Sequence, residues 1–198
     1  MSPSLDELRR ALAEDGFVVL HGAVDEERVT ACLRRLNLAI REHGLTAEEV
    51  LACQQTTFFP HLRWEPEIWG VLPDVAAELL GWQQGDDWAT PQLLLRFPDR
   101  DEEWPLEPHV DEPPDGDWVG YRGIVGVAVT AANAEDGAAR VWRGSHRGPV
   151  DVEPEPVPLA AGDALVMHPR LAHAGALNHG PNVRVAVYFR LLQHQQHQ

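Results

Sequence analysis

The chain has no lysine. All sixteen of its Lys/Arg positions are arginine. Schiff-base catalysis is therefore excluded, and so is a phosphate-cradling P-loop, because both need a lysine amine. Cysteine is scarce. Cys32 and Cys53 have no metal-site spacing and form no disulfide framework. Cys32 falls on the apolar stripe of an expected helix and reads as a buried thiol. Two reduced cysteines, and an N-terminus that starts as a polar helix without a charged-then-apolar leader, point to a cytoplasmic protein. No apolar run approaches the ~18 residues that cross a bilayer, so no membrane partner is expected. Positive charge is also in short supply. The formal net charge is −15, which argues against a nucleic-acid partner, whose phosphates need a basic face. Internal repeats and linkers are absent. The 198 residues fit one domain with a sizeable core.

What is present reads as helices first and strands after. Ser4 and Glu7 form a capping box for a helix with Leu5, Leu8 and Leu12 on one face, stopped at Asp15-Gly16. Phe17 to Leu20 reads as a strand. Asp25 caps a second helix carrying Val29, Cys32, Leu33, Leu36 and Ile40, and Gly44 ends it. Thr46 with Glu49 opens a third. Asp74 is expected to cap another, ending at Gly81. Gln92 to Phe97, Ile124 to Thr130, Ala164 to Met167 and Val183 to Phe189 read as core strands. The expected fold is mainly β with flanking helices, those of about residues 4–80 buttressing a sheet-rich core of about residues 90–192. The tail from Gln193, with His194 and His197, reads as frayed.

The chemistry concentrates in two segments. His109-Val110-Asp111 puts a His and an Asp two residues apart, and His173 follows 64 residues later. On an extended segment, residues two apart point to the same side, so both could reach one ion. Pro108, Pro113 and Pro114 disfavour a helix there. With ten histidines and fourteen aspartates, about one His-x-Asp pair is expected by chance, and a surface loop holding one is the plain alternative. A second His completes two imidazoles and a carboxylate, the donor set of a non-haem iron(II) site with open positions. His168 and His179 compete for that place, and both are expected to be exposed. Arg184 lies eleven residues after His173. Arg184, Ala186, Tyr188 and Arg190 share one strand face, and Val183, Val185, Val187 and Phe189 share the other. If residues 171–177 pair back across the turn at 178–182, Arg184 comes opposite about residue 176, roughly 10 Å along the strand from His173. That separation suits a short dicarboxylate. The alternative is an ordinary edge-strand arginine paired with a surface acid.

These residues resemble a known family. Gly162-Asp163-Ala164-Leu165-Val166, His173-Ala174-Gly175, Asn178 and the run from Arg184 to Arg190 look like the end of the phytanoyl-CoA dioxygenase-like (PhyH-type) branch of iron(II)/2-oxoglutarate oxygenases. Glu135-Asp136-Gly137-Ala138 and Trp142-Arg143-Gly144-Ser145-His146-Arg147 resemble that family's middle region. The resemblance runs from about Gly16 to Arg190 and is dense after His109. It implies a double-stranded β-helix (jelly-roll, cupin-like) fold. It also implies iron(II) held by His109, Asp111 and His173, the distal carboxylate of 2-oxoglutarate on Arg184, and O2 as co-substrate, with ascorbate in support. Gln92, seventeen residues before His109, and Thr130 are further cofactor-facing positions by the same resemblance. Some related oxygenases anchor 2-oxoglutarate on a lysine, and here only arginine is available. Family members that halogenate lack the metal carboxylate. Asp111 fills that position, so the implied reaction is hydroxylation of an aliphatic C–H in a small molecule, with desaturation or ring formation as variants. A cupin-type isomerase or dioxygenase working without 2-oxoglutarate, and a non-catalytic jelly-roll binding module, are the rival classes.

Substrate charge stays open. Residues 99–118 carry nine acids against Arg100 alone, which suits a cationic substrate. Arg140, Arg143 and Arg147 suit an anionic one. Trp104 and Trp118 flank the metal motif and are candidate pocket walls.

Overall fold

Helices come first and are built as their caps dictate. A computed structural model describes residues 3–52, 62–98, 107–111 and 120–193. Helix α1 (Leu5–Asp15) opens on the Ser4–Glu7 capping box and stops at Gly16, whose φ of 86° is the left-handed conformation that glycine tolerates. Helix α2 (Glu26–Glu42) is capped by Asp25 and buries Val29, Cys32, Leu36 and Ala39. Thr46 and Glu49 exchange hydrogen bonds at the start of α3 (Ala47–Ala52). Two more short helices follow, α4 (Pro66–Trp69) and α5 (Ala76–Leu79). Asp74 does not cap α5 as expected. The N-cap is Val75, and Asp74 is exposed, its carboxylate 3.7 Å from Arg28. The tight turn at Pro73, whose carbonyl accepts from Ala76 N, delays the helix by a residue.

Among the described residues, nine strands form two antiparallel sheets. They are β1 (Phe17–Leu20), β2 (Asp87–Trp88), β3 (Gln92–Arg96), β4 (Tyr121–Ala128), β5 (Ala139–Val141), β6 (Glu155–Val157), β7 (Ala164–Met167), β8 (His173–Ala174) and β9 (Arg184–Leu192). The larger sheet runs β1-β7-β4-β9-β2, with β3 also paired to β9. The smaller runs β6-β5-β8. This is the mainly-β, double-stranded β-helix architecture with flanking helices that the sequence led us to expect.

Side-chain alternation sorts the core into two layers. From the large sheet, Val18, Val125, Val127, Val166, Val185, Val187 and Phe189 face outward and pack with α2, α4 and α5, while the leucines of α1 lie partly buried beside them. Phe17, Ile124, Ala128, Leu165 and Met167 face inward and meet Ala139, Val141 and Val157 of the small sheet. The helices thus seal one side of the large sheet. The other side closes over the small sheet and over the inward-facing polar residues of β3 and β9.

One pairing departs from the expectation. Residues 171–177 do not pair back on β9. β8 pairs with β5, with His173 opposite Val141, in the other sheet. The turn formers at 178–182 carry the chain across between sheets. Asn178 buries its amide there, donating to the carbonyls of Arg96 and Asn182. Arg184 instead lies opposite Arg96 of β3.

Candidate metal centre and anion pocket

His173 sits on β8, and its neighbour across the backbone is His109. The two residues form an isolated bridge, each N–H donating to the other's carbonyl at 2.9 and 3.0 Å. Two residues on, Asp111 N donates to the carbonyl of Pro169 at 3.1 Å. The His-x-Asp segment is thus stitched to the edge of the small sheet, and its extended conformation turns both side chains to one side, as the two-residue spacing requires.

The donor atoms converge. Asp111 Oδ1 lies 3.9 Å from His109 Nε2 and 3.8 Å from His173 Nε2. All three ligand atoms fall within 4.8 Å of one another, a grouping that no other described His, Cys, Asp or Glu residues make. Each imidazole has its Nδ1 against a backbone carbonyl two residues earlier, Glu107 O at 3.2 Å and Leu171 O at 2.9 Å. A carbonyl can only accept, so each ring carries its proton on Nδ1 and turns the Nε2 lone pair inward. Burial holds the His173 imidazole below its ordinary pKa, which keeps it neutral and able to ligate. The donor set fits a divalent iron.

These atoms stand at one end of a cavity of about 230 Å³ between the sheets. At the other end is Arg184, only 4% exposed, which donates through Nη1 to Gly137 O at 2.7 Å and through Nη2 to Tyr188 Oη at 3.2 Å. Gly137 can aim its carbonyl there because it has φ 78° in the turn before β5. Tyr188 can lie flat over the ladder because its partner is Gly126, where a Cβ would come within 2.6 Å of the ring. Arg96, Gln92, Leu94 and Arg190 complete the described wall on the large-sheet side.

Of the residues singled out from sequence, His109, Asp111, His173, Arg184 and Gln92 come together in this cavity. Thr130 does not. Its hydroxyl accepts from Val185 N at 2.8 Å and lies 3.3 Å from Val183 O, a splice between the end of β4 and the start of β9. His179 is exposed as expected, but His168 is half-buried, with its ring centroid 5.0 Å from that of His146 and outside the His109–Asp111–His173 grouping. Arg140, Arg143 and Arg147 are not among the lining residues. Arg143 is paired outside with Asp15 and Glu155, and Arg140 donates to Gly175 O. The arginines that do line the cavity are Arg96, Arg184 and Arg190. Arg96 and Tyr188 were missed as cavity residues. Continuing the alternation from Gln92 to 94 and 96, and from Arg184 to 188, finds both. Cys53, Arg100, Trp104, Trp118, His194 and His197 lie outside the described residues, as does most of the acidic segment.

Comparison with known proteins bears on the fold and on the family that this region resembles. The phytanoyl-CoA dioxygenase (PhyH) family model matches residues 104–186, the span that holds His109, Asp111, His173 and Arg184. The chain is similar to that family over this span. No curated protein matches it. Among solved structures, EvdO2 from Micromonospora carbonacea var. aurantiaca, complexed with 2-oxoglutarate, is 20% identical to this chain. It superposes with a TM-score of 0.70 over 97% of this chain and 92% of its own. SnoK, the non-haem alpha-ketoglutarate-dependent carbocyclase from nogalamycin biosynthesis, gives 20% identity and a TM-score of 0.69 over 98% and 87%. The epimerase SnoN, in complex with Fe3+, alpha-ketoglutarate and nogalamycin RO, gives 20% and 0.65 over 96% and 83%. At these identities the likeness speaks for the fold. No helix among the described residues is long and apolar enough to cross a membrane.

Proposed function

We propose that this chain is an iron(II)/2-oxoglutarate-dependent oxygenase that hydroxylates an aliphatic C–H of a small molecule. One observation carries the reading. Two Nε2 atoms and a carboxylate oxygen converge at one end of a cavity whose other end is a buried guanidinium backed by a phenol. A dicarboxylate that chelates a metal through one end needs a cation for the other, and a buried arginine fork supplies it. His109, Asp111 and His173 would hold the iron. Arg184 would take the distal carboxylate, with Tyr188 Oη fixing the plane of its fork. Gln92 and Arg190 would border the metal end. When bound, iron(II) and 2-oxoglutarate supply the oxidising power, consuming O2 and releasing succinate and CO2. The chain's part is to hold the three donors in the right tautomers, keep Arg184 desolvated and charged, and present the substrate C–H to the metal from the open side.

The described wall carries three guanidiniums and one carboxylate, a balance suited to an anionic co-substrate. Solved structures of this fold include a carbocyclase and an epimerase. Hydroxylation is therefore the outcome to be read from the product. Anaerobic addition of 2-oxoglutarate to the iron(II)-loaded protein should give a metal-to-ligand charge-transfer band. A substrate screen on succinate release, with mass analysis of the product, should then show a gain of one oxygen. An isomeric product or a loss of two hydrogens would reassign the reaction. Absence of the band would favour a cupin that works without 2-oxoglutarate.

A further inference from the structure

We propose that Arg190 is a positioning residue that restricts Asp111 to offering one oxygen to the metal, and so keeps the third open position of the ion free. The inference rests on the metal assignment just given. The two oxygens of Asp111 are not equivalent. Oδ1 is the one that lies 3.9 and 3.8 Å from the two imidazole Nε2 atoms. Oδ2 points the other way and accepts from Arg190 Nε at 2.7 Å. Arg190 is itself held, its Nη1 donating to Gln92 Oε1 at 3.2 Å and its backbone carbonyl accepting from Ala89 N at 2.8 Å. The chain from Gln92 on β3 through Arg190 on β9 to Asp111 therefore fixes the rotation of the carboxylate. Only a tenth of the Asp111 side chain is exposed, so water competes weakly for Oδ2.

The count of coordination positions gives this contact its function. Two imidazoles and a one-oxygen carboxylate use three positions of a six-coordinate ion and leave three. A carboxylate bound through both oxygens leaves two, which a chelating 2-oxo acid fills by itself. A guanidinium on Oδ2 forbids that mode, because the lone pairs facing the ion's side are then only those of Oδ1. Arg190 shares its strand face with Arg184 but acts differently. Arg184 faces the far end of the cavity, and Arg190 faces a ligand.

Cobalt(II), whose visible bands report its coordination, is the probe. Wild type, R190K and R190M would be loaded with Co2+, their spectra compared, and 2-oxoglutarate titrated in at saturating metal. R190K keeps the charge but cannot make the Nε and Nη1 contacts together, so it isolates orientation from electrostatics. The expected result is an altered Co2+ band in both variants before co-substrate is added, and 2-oxoglutarate binding weakened about tenfold or more in R190K. An R190K protein with the wild-type band and wild-type 2-oxoglutarate affinity overturns the proposal. If R190K does not fold, the Co2+ band of R190M decides on the same terms. Wild type without any Co2+ band would overturn both this inference and the metal assignment beneath it. A normal wild-type band with unchanged variants sinks this inference alone.

Discussion

The far end of the cavity hangs on the longest strand among the described residues, and the candidate metal end hangs on a few backbone hydrogen bonds. Arg184 opens β9, a nine-residue strand with β3 on one side and β4 on the other, and its guanidinium is buried and doubly bonded. His109 is held by its bridge to His173, and its side chain is more than half exposed. The pocket around Arg184 is thus preformed by the sheet, while the candidate metal ligands are brought together by the register of one bridge. Removing a group at one end should leave the other end working, and that expectation can be tested at either end.

The largest effect is expected at the metal end. His173→Ala removes the more buried of the two candidate imidazole ligands and should abolish stoichiometric iron binding and turnover while the circular dichroism of the fold is kept. A His173→Ala protein that still binds iron and turns over would show that the three ligands are misassigned.

Arg184→Ala strikes the other end. Truncating one partner of a desolvated charge pair costs about 2–5 kcal/mol, so 2-oxoglutarate binding should weaken roughly 30-fold or more. Iron affinity, measured separately, should change far less. A comparable loss of iron affinity would mean that the two ends are coupled and the contrast between them is false.

Acid gives a graded version of the test through a residue that lines neither end. Burial beside His146 pushes the His168 imidazole down from 6.5 to about 4. It is neutral in the fold, whereas the unfolded chain protonates near 6.5. Its contribution is therefore fully present above that pH and is lost as pH falls toward 4, at most roughly 3 kcal/mol. Urea midpoints measured between pH 7 and pH 4 should drop, and His168→Asn should flatten the drop. Co-substrate contacts at Arg184 should persist while this stability is being lost.

Thr130→Val is the smallest change. It leaves Val185 N without its side-chain acceptor and should cost about 1–2 kcal/mol of stability. 2-Oxoglutarate affinity should stay at the wild-type value. A marked loss of that affinity would return Thr130 to the cofactor site.

Much of this arrangement was legible in the chain because it depends on short spacings. The two-residue spacing of His109 and Asp111 fixes a shared side. Strict alternation along β9 separates Arg184, Tyr188 and Arg190 from Val185, Val187 and Phe189. What escaped depends on long-range choice. Asn178 to Asn182 has hairpin composition, but in the fold the same residues carry the chain between sheets, and β8 finds β5 as its partner. Nothing local distinguishes the two outcomes. The decision lies in whether Asn178 can satisfy the carbonyl of Arg96, 82 positions away. The same applies to the arginines. Arg143 and Arg96 are alike in sequence, and only the side of the sheet on which each emerges separates an outer ion pair from a cavity wall. Asp74 has the right residue type for a cap, and the geometry of the preceding Pro73 turn prevents it.

The bridge between His109 and His173 also bears on how this scaffold can be re-purposed. Both imidazole ligands meet at one point where two stretches of chain are joined by reciprocal amide contacts, and Asp111 is tied to Pro169 one step further on. A shift of that bridge by one residue would turn His109 and Asp111 to the opposite side together, so any redesign of the candidate metal centre has to keep those few contacts.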